Sequence, residues 1–264
     1  MSKQSRCFVV ALALSATLVV SPVVAAGAPM ASMEAEAPVA GFLWQGFYAG
    51  LNAGYVWGNA DLDVTHLPNQ AAFGADPFSA SLDTDGFIGG AQAGFNWQVD
   101  NFVFGVEADI QGSNASESTT FGPLPLFGGA PQAGSFASIE SELNALGTVR
   151  GRVGIASGMN LFYATGGLAY GDIKDRSRIQ YNGGVGNQFN YIATSNSWEL
   201  GWTVGAGYER ALNNNWTVKA EYLYYDLGDH SVVGLPQAPN GPFATVNDWS
   251  VTGSIVRLGV NRLF

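Results

Sequence analysis

One cysteine is present among 264 residues, Cys7, and it lies inside an N-terminal export signal. The mature chain is therefore expected to carry no thiol, which excludes disulfides, thiol catalysis, cysteine-held metal and a lipid anchor at the cleavage point. Positive charge is also scarce, with 11 Lys+Arg against 21 Asp+Glu. Lys3 and Arg6 leave with the signal, so nine basic residues face 21 acidic ones and the mature net charge is −12. So acidic a chain is not a partner for nucleic acid. Histidine occurs twice, as His66 and His230, with Asp63 and Asp229 nearby, the arrangement of ordinary solvated pairs. No Ser-His-Asp, metal or phosphate-loop pattern is discernible, so neither an enzyme nor a metal site is expected. Beyond the signal, no apolar run approaches the about 20 residues that a membrane-spanning helix requires.

The signal itself has three parts. Lys3 and Arg6 precede an apolar run over 7–20, and Ser21, Pro22 and the small residues Val24, Ala25 and Ala26 follow. Cleavage after Ala26 is expected, giving a signal peptide over 1–26. Residues 27–43 lack periodicity and read as a flexible periplasmic segment. The structured domain is expected to span 44–264.

From there one pattern recurs eight times: about ten residues of alternating character, bounded by turn formers. In the first segment Phe47, Ala49, Leu51, Ala53, Tyr55 and Trp57 share one face, with Tyr48, Gly50, Asn52 and Gly54 on the other. Phe87 to Trp97 and Phe102 to Ile110 alternate in the same way about a turn at Asp100-Asn101, which predicts a hairpin. Leu143, Ala145, Val149 and Val153 alternate with Glu142, Asn144, Thr148, Arg150 and Arg152. Phe162, Ala164 and Leu168 oppose Tyr163 and Thr165. Trp198 to Tyr208 and Trp216 to Tyr224 flank a turn at Asn213-Asn214-Asn215. The last strand sets Val256, Leu258, Val260 and Phe264 against Arg257, Gly259 and Asn261, and ends at the terminus itself.

Connections alternate between short turns, near Asp100, Ser157 and Asn214, and long polar stretches over 60–85, 112–138, 172–196 and 228–248. That asymmetry predicts an all-β fold, an eight-stranded antiparallel up-and-down transmembrane β-barrel with short periplasmic turns and four long extracellular loops. Aromatics cluster at segment ends, at Trp44, Trp57, Trp97, Trp198, Trp216, Tyr224 and Trp249, which suits girdles at two headgroup levels. Alternation alone cannot tell inside from outside, so a soluble periplasmic lipocalin-like carrier, apolar face inward, is the alternative. The loop asymmetry and the terminal Phe264 favour the membrane.

Four stretches carry a family resemblance: 44–55 (WQGFYAGLNAGY), 147–154 (GTVRGRVG), 202–209 (WTVGAGYE) and 257–264 (RLGVNRLF). With them the chain resembles the small eight-stranded outer-membrane proteins of alphaproteobacteria, of the Brucella and Rhizobium type, in the OmpA-like porin family. The resemblance implies a protein of the cell outer membrane that supports envelope integrity and is often an abundant surface antigen. It implies contact with outer-membrane lipid and lipopolysaccharide, and reading of Phe264 by the barrel-assembly machinery. Arg262 departs from that terminal signal, where an apolar residue is more usual, and snorkelling would accommodate it. Some members form narrow pores and some bind haemin, so His66 and His230, with Tyr181 or Tyr191, are candidate surface haem ligands. Loops rich in Gly, Pro, Asn and Phe would face host surface ligands.

With polar faces inward, Glu107, Asp109, Glu142, Glu199, Glu209 and Glu221 would share a narrow lumen with Arg150, Arg152, Lys219 and Arg257. Confined charges must pair to offset desolvation. They form either a salt-bridge plug, which the width of an eight-stranded barrel favours, or the filter of a water-lined path, for which Gly50, Gly54, Gly205 and Gly207 leave space.

Overall fold

The computed structural model describes residues 42–67, 77–125, 131–182, 188–237 and 243–264. The expected signal peptide and the lead-in up to residue 41 lie outside the described residues. Eight strands follow in order: β1 (Gly46–Leu67), β2 (Phe78–Val99), β3 (Phe102–Phe121), β4 (Phe136–Ser157), β5 (Asn160–Asn182), β6 (Gln188–Ala211), β7 (Trp216–Pro236) and β8 (Ala244–Leu263). Each pairs antiparallel with its sequence neighbour and β8 returns to β1, closing the ring. Closure removes the unpaired strand edges that hydrocarbon does not tolerate.

The short turns follow local chemistry. Asp100 and Gly158 take left-handed φ values of 52° and 58°, the conformation that returns two strands in tight register. Asn213 Oδ1 accepts from the backbone N–H groups of Asn215 and Trp216 at 3.0 and 2.9 Å, an Asx turn.

Within the membrane the barrel is apolar outside and polar inside. Leu51, Ile110, Leu168, Leu200 and Leu258 are exposed on the outer wall, while Asn52, Gln111, Arg150 and Arg257 are buried. A soluble carrier has the reverse arrangement, so the lipocalin-like alternative falls. Outward aromatic pairs mark two levels. Phe95 with Trp97 and Phe162 with Tyr208 lie near the short turns, and Trp57 with Tyr222 and Trp202 with Tyr224 lie farther up. Two expected girdle residues are interior instead. Trp44 and Trp249 are 0% and 1% exposed. Trp44 packs edge-on to Phe42 and fills the periplasmic mouth beside Val103 and Leu161. Phe42 and Leu43, counted in the lead-in segment by the sequence, are thus among the described residues, and Phe42 packs on Trp44.

The strands are 20 to 24 residues long, about twice the 9–11 that cross a bilayer. Most of the stretches expected to be loops are strand. The alternation there persists with its chemistry inverted: above the girdle Leu62 and Val64 of β1 point inward and Asp61 and Asp63 outward. Polar outer faces fit water, and the apolar inner faces build a core from all around the ring.

Among the described residues, pairing in this upper part is incomplete at two places. β2 and β3 pair only up to Ile88 and Ser113. β6 and β7 pair up to Trp202 and Asp226, then again only at Ile192 with Leu235 and Tyr191 with Pro236. These seams lie on opposite sides of the ring. The upper barrel thus resolves into two four-stranded sheets, β3-β4-β5-β6 and β7-β8-β1-β2, packed face to face across the apolar core.

Candidate functional site: the barrel lumen

Below that core the lumen holds charge. Three cross-strand rungs place opposite charges directly beside each other: Glu107 with Arg150, Glu209 with Lys219, and Glu221 with Arg257. Inward alternation on each strand brings these rungs together at mid-lumen, where Asp109 and Arg152 join them. Arg150 meets Glu107, Asp109 and Glu221 at 2.5, 2.9 and 3.1 Å. Lys219 Nζ donates to both oxygens of Glu107 at 2.8 and 2.9 Å. Arg257 donates to Glu221 through Nε at 2.7 Å and to Asp109 at 2.9 Å. Arg152 pairs with Glu209 at 3.0 Å.

Four carboxylates face four cations, and the network is neutral. Remaining lone pairs are filled by neutral donors: Tyr48 to Glu107 at 2.7 Å, Tyr163 to Glu221 at 2.9 Å, Thr148 to Asp109 at 2.8 Å and Asn261 to Glu209 at 2.9 Å. The Arg152 guanidinium lies 5.1 and 4.7 Å from the ring centres of Tyr48 and Tyr163. That contact stabilises a desolvated cation. Each charge therefore retains several partners despite side-chain exposures of 3% or less, which is the condition for tolerating buried ions.

The inward glycines do not leave space. A Cβ at Gly207 would fall on the Tyr163 ring, one at Gly54 on Arg257, one at Gly50 on Asn261 and one at Gly205 on Leu223. At Gly207 the missing side chain lets Tyr163 fold across the lumen, and at Gly50, Gly54 and Gly205 it lets the neighbouring carbonyls of Val260, Val256 and Tyr222 approach closely.

Two acids expected in this network stand outside it. The register shifts between Leu143 and Ala145, and this bulge at Asn144 reverses which face each residue beyond it presents. Glu142 consequently faces out and pairs with Lys174 at 3.1 Å, partly exposed, while Leu143 turns into the core. Glu199 keeps its inward face but sits higher, where it accepts from Ser197 and lies 3.9 Å from His230.

The candidate haem ligands are not loop residues. His66 lies on β1, 3% exposed, its Nε2 3.0 Å from the Tyr181 hydroxyl. His230 lies on β7, turned inward by a second bulge between Asp226 and Asp229 in which Gly228 takes φ 74°. Its Nε2 is 2.9 Å from Asp175 Oδ2, and Ser141 donates to the other Asp175 oxygen at 2.7 Å. Tyr181 and Tyr191 are buried core members. Phe264 is exposed on the outer wall, its ring 5.8 Å from that of Phe47, with the Arg262 guanidinium 5.4 Å away.

A closed antiparallel ring with an apolar exterior, aromatic girdles and a polar lumen defines a bacterial outer-membrane β-barrel. The chain belongs to the outer membrane protein beta-barrel domain family, which it matches over residues 23–264. It is 38% identical to the 31 kDa outer-membrane immunogenic protein of Brucella melitensis, over 88% of this chain and 89% of that protein. It is 33% identical to a 22 kDa outer membrane protein of Rhizobium leguminosarum, over 72% and 68%. Among solved structures, the outer membrane protein OprG of Pseudomonas aeruginosa aligns over 83% of this chain and 96% of that one, at 12% identity and a TM-score of 0.42. The protein is an outer-membrane protein, as the sequence pattern predicts.

Proposed function

We propose that this barrel is a closed structural element of the outer membrane that contributes to envelope integrity, and not a diffusion pore. The observation that supports this most is the filling of the lumen at three successive levels. Trp44 and Phe42 occupy the periplasmic mouth, the neutral ion network the middle and the apolar core the top. An ion crossing it would have to displace paired charges and then enter a region without polar partners, each step costing several kcal/mol.

The haemin reading loses its support, since His66 and His230 are engaged on inward faces. A catalytic reading fares no better. Ser141 and His230 both bond to Asp175, which leaves the serine on the acid and not on the imidazole, the wrong order for activating a nucleophile. Reconstitution into liposomes tests the proposal: swelling in arabinose no faster than that of empty liposomes is expected, and faster swelling would refute it. A deletion strain should gain sensitivity to detergent and EDTA, restored by the intact chain.

A further inference from the structure

The two seams of the upper barrel meet very different surroundings from the other six strand interfaces, whose pairing runs the length of the strands. Residues 78–87 of β2 and 114–121 of β3 face each other without a ladder, as do 193–201 of β6 and 227–234 of β7. Strands left unladdered are free to separate at far lower cost than paired ones. What joins the two half-sheets instead is the apolar core, the Phe78–Phe121 ring contact at 5.4 Å, the two pairs that close the top of β6 and β7, and a few polar bonds, among them Phe87 N–H to Asn114 Oδ1 at 2.8 Å. His66 of β1 meets Tyr181 of β5 at 3.0 Å, Ser177 of β5 donates to Asn247 of β8 at 2.8 Å, and His230 of β7 meets Asp175 of β5 at 2.9 Å. Both histidines of the chain thus join one half-sheet to the other.

We propose that the two half-sheets form a clamp that opens along these seams above the membrane, with His230 on Asp175 as its principal latch. The bulge at Gly228 turns His230 inward at the seam itself, and Glu199 of β6 stands 3.9 Å from its Nδ1. The groups facing His230 are Asp175 from β5 and Glu199 from β6; Ser141 of β4 holds Asp175, Asp229 adjoins His230 on β7, and β8 presents Trp249 at the paired position. The membrane part, laddered on every side, stays closed while the clamp moves. This gives the extracellular half a second state without a channel.

His230 lies outside the membrane-spanning segment, and its hydrogen bond to Asp175, aided by the nearby carboxylates, raises its pKa above the ordinary histidine value. A group whose pKa is raised on folding stabilises the folded contact at low pH and loses that contribution as pH climbs through the raised value. The latch is therefore strongest below the raised His230 value and weakens as pH climbs through it.

Because the mature chain has no thiol, single cysteines report cleanly on opening. Ala193 is 3% exposed beside the seam and Ala169 is 0% exposed in fully laddered wall. Maleimide labelling of Ala193→Cys in the reconstituted protein, normalised to N-acetylcysteine, is expected to rise at least tenfold when His230→Ala is added. It should also rise with pH in the His230 background, while Ala169→Cys stays unlabelled. Asp175→Asn provides a second unlatching variant should His230→Ala fold poorly, with heat-modifiable gel migration as the folding check. Labelling at 193 no faster than at 169, or unchanged by His230→Ala, Asp175→Asn and pH alike, would overturn the clamp.

Discussion

Replacing Glu107 by Gln keeps the shape of the side chain and removes one of the four buried negative charges. In the intact lumen Glu107 accepts from Lys219 at 2.8 and 2.9 Å, from Arg150 at 2.5 Å and from Tyr48 at 2.7 Å. The variant leaves four cations facing three anions in a region with almost no solvent. Removing one partner of a buried pair costs about 3–5 kcal/mol; because the amide oxygen still accepts a hydrogen bond, about 3 kcal/mol is expected. Adding Lys219→Met restores neutrality and should recover much of the loss, giving a coupling energy of at least about 1.5 kcal/mol in the double-mutant cycle. Urea unfolding of the barrel in liposomes, followed by tryptophan fluorescence and by heat-modifiable gel migration, measures all four corners. An E107Q variant within about 0.5 kcal/mol of the parent, with additive effects in the cycle, would refute the view that the network is a cooperatively paired plug.

Trp44→Ala empties the periplasmic mouth and should destabilise the barrel by about 3–5 kcal/mol, read as a lower urea midpoint. Gly207→Val places its Cβ on the Tyr163 ring and displaces the hydroxyl from Glu221, at a cost of about 1–3 kcal/mol. Gly166→Ala meets only ordinary contacts, at 3.4 and 3.9 Å, and should stay within about 0.5 kcal/mol of the parent in the same titration. Deleting Phe264, which is 69% exposed and stacked only at the wall, should lower the amount of barrel in the outer-membrane fraction while shifting its unfolding by less than about 1 kcal/mol. A large stability loss with normal yield would make Phe264 a packing residue and not an assembly signal.

The membrane half of this fold is legible because two strong constraints coincide there. Hydrocarbon demands an apolar outer face and a narrow lumen demands paired charge, so Leu258 and Arg257, or Val149 and Arg150, announce their sides at once. Above the girdle the outer constraint changes from lipid to water, and the alternation inverts without losing its period. Asp61, Leu62, Asp63 and Val64 therefore read as polar loop although they form strand. The bulges at Asn144 and Gly228 were invisible for a different reason. A single extra residue leaves composition unchanged yet exchanges the two faces, which moved Glu142 out of the lumen and His230 into it. An aromatic at a segment end fits a girdle and a lumen stopper equally well, so the sequence does not distinguish Trp44 and Trp249 from true girdle residues. Tyr48 and Tyr163, by contrast, sit at inward positions of clean alternation, and their role in capping Glu107 and Glu221 could have been drawn from parity alone.

Planar-bilayer recording on the purified, refolded barrel tests the central claim most directly. A lumen filled by Trp44, the neutral ion network and the apolar core should leave the bilayer electrically silent in molar salt. Steady, ohmic conductance from the unaltered protein would contradict the account.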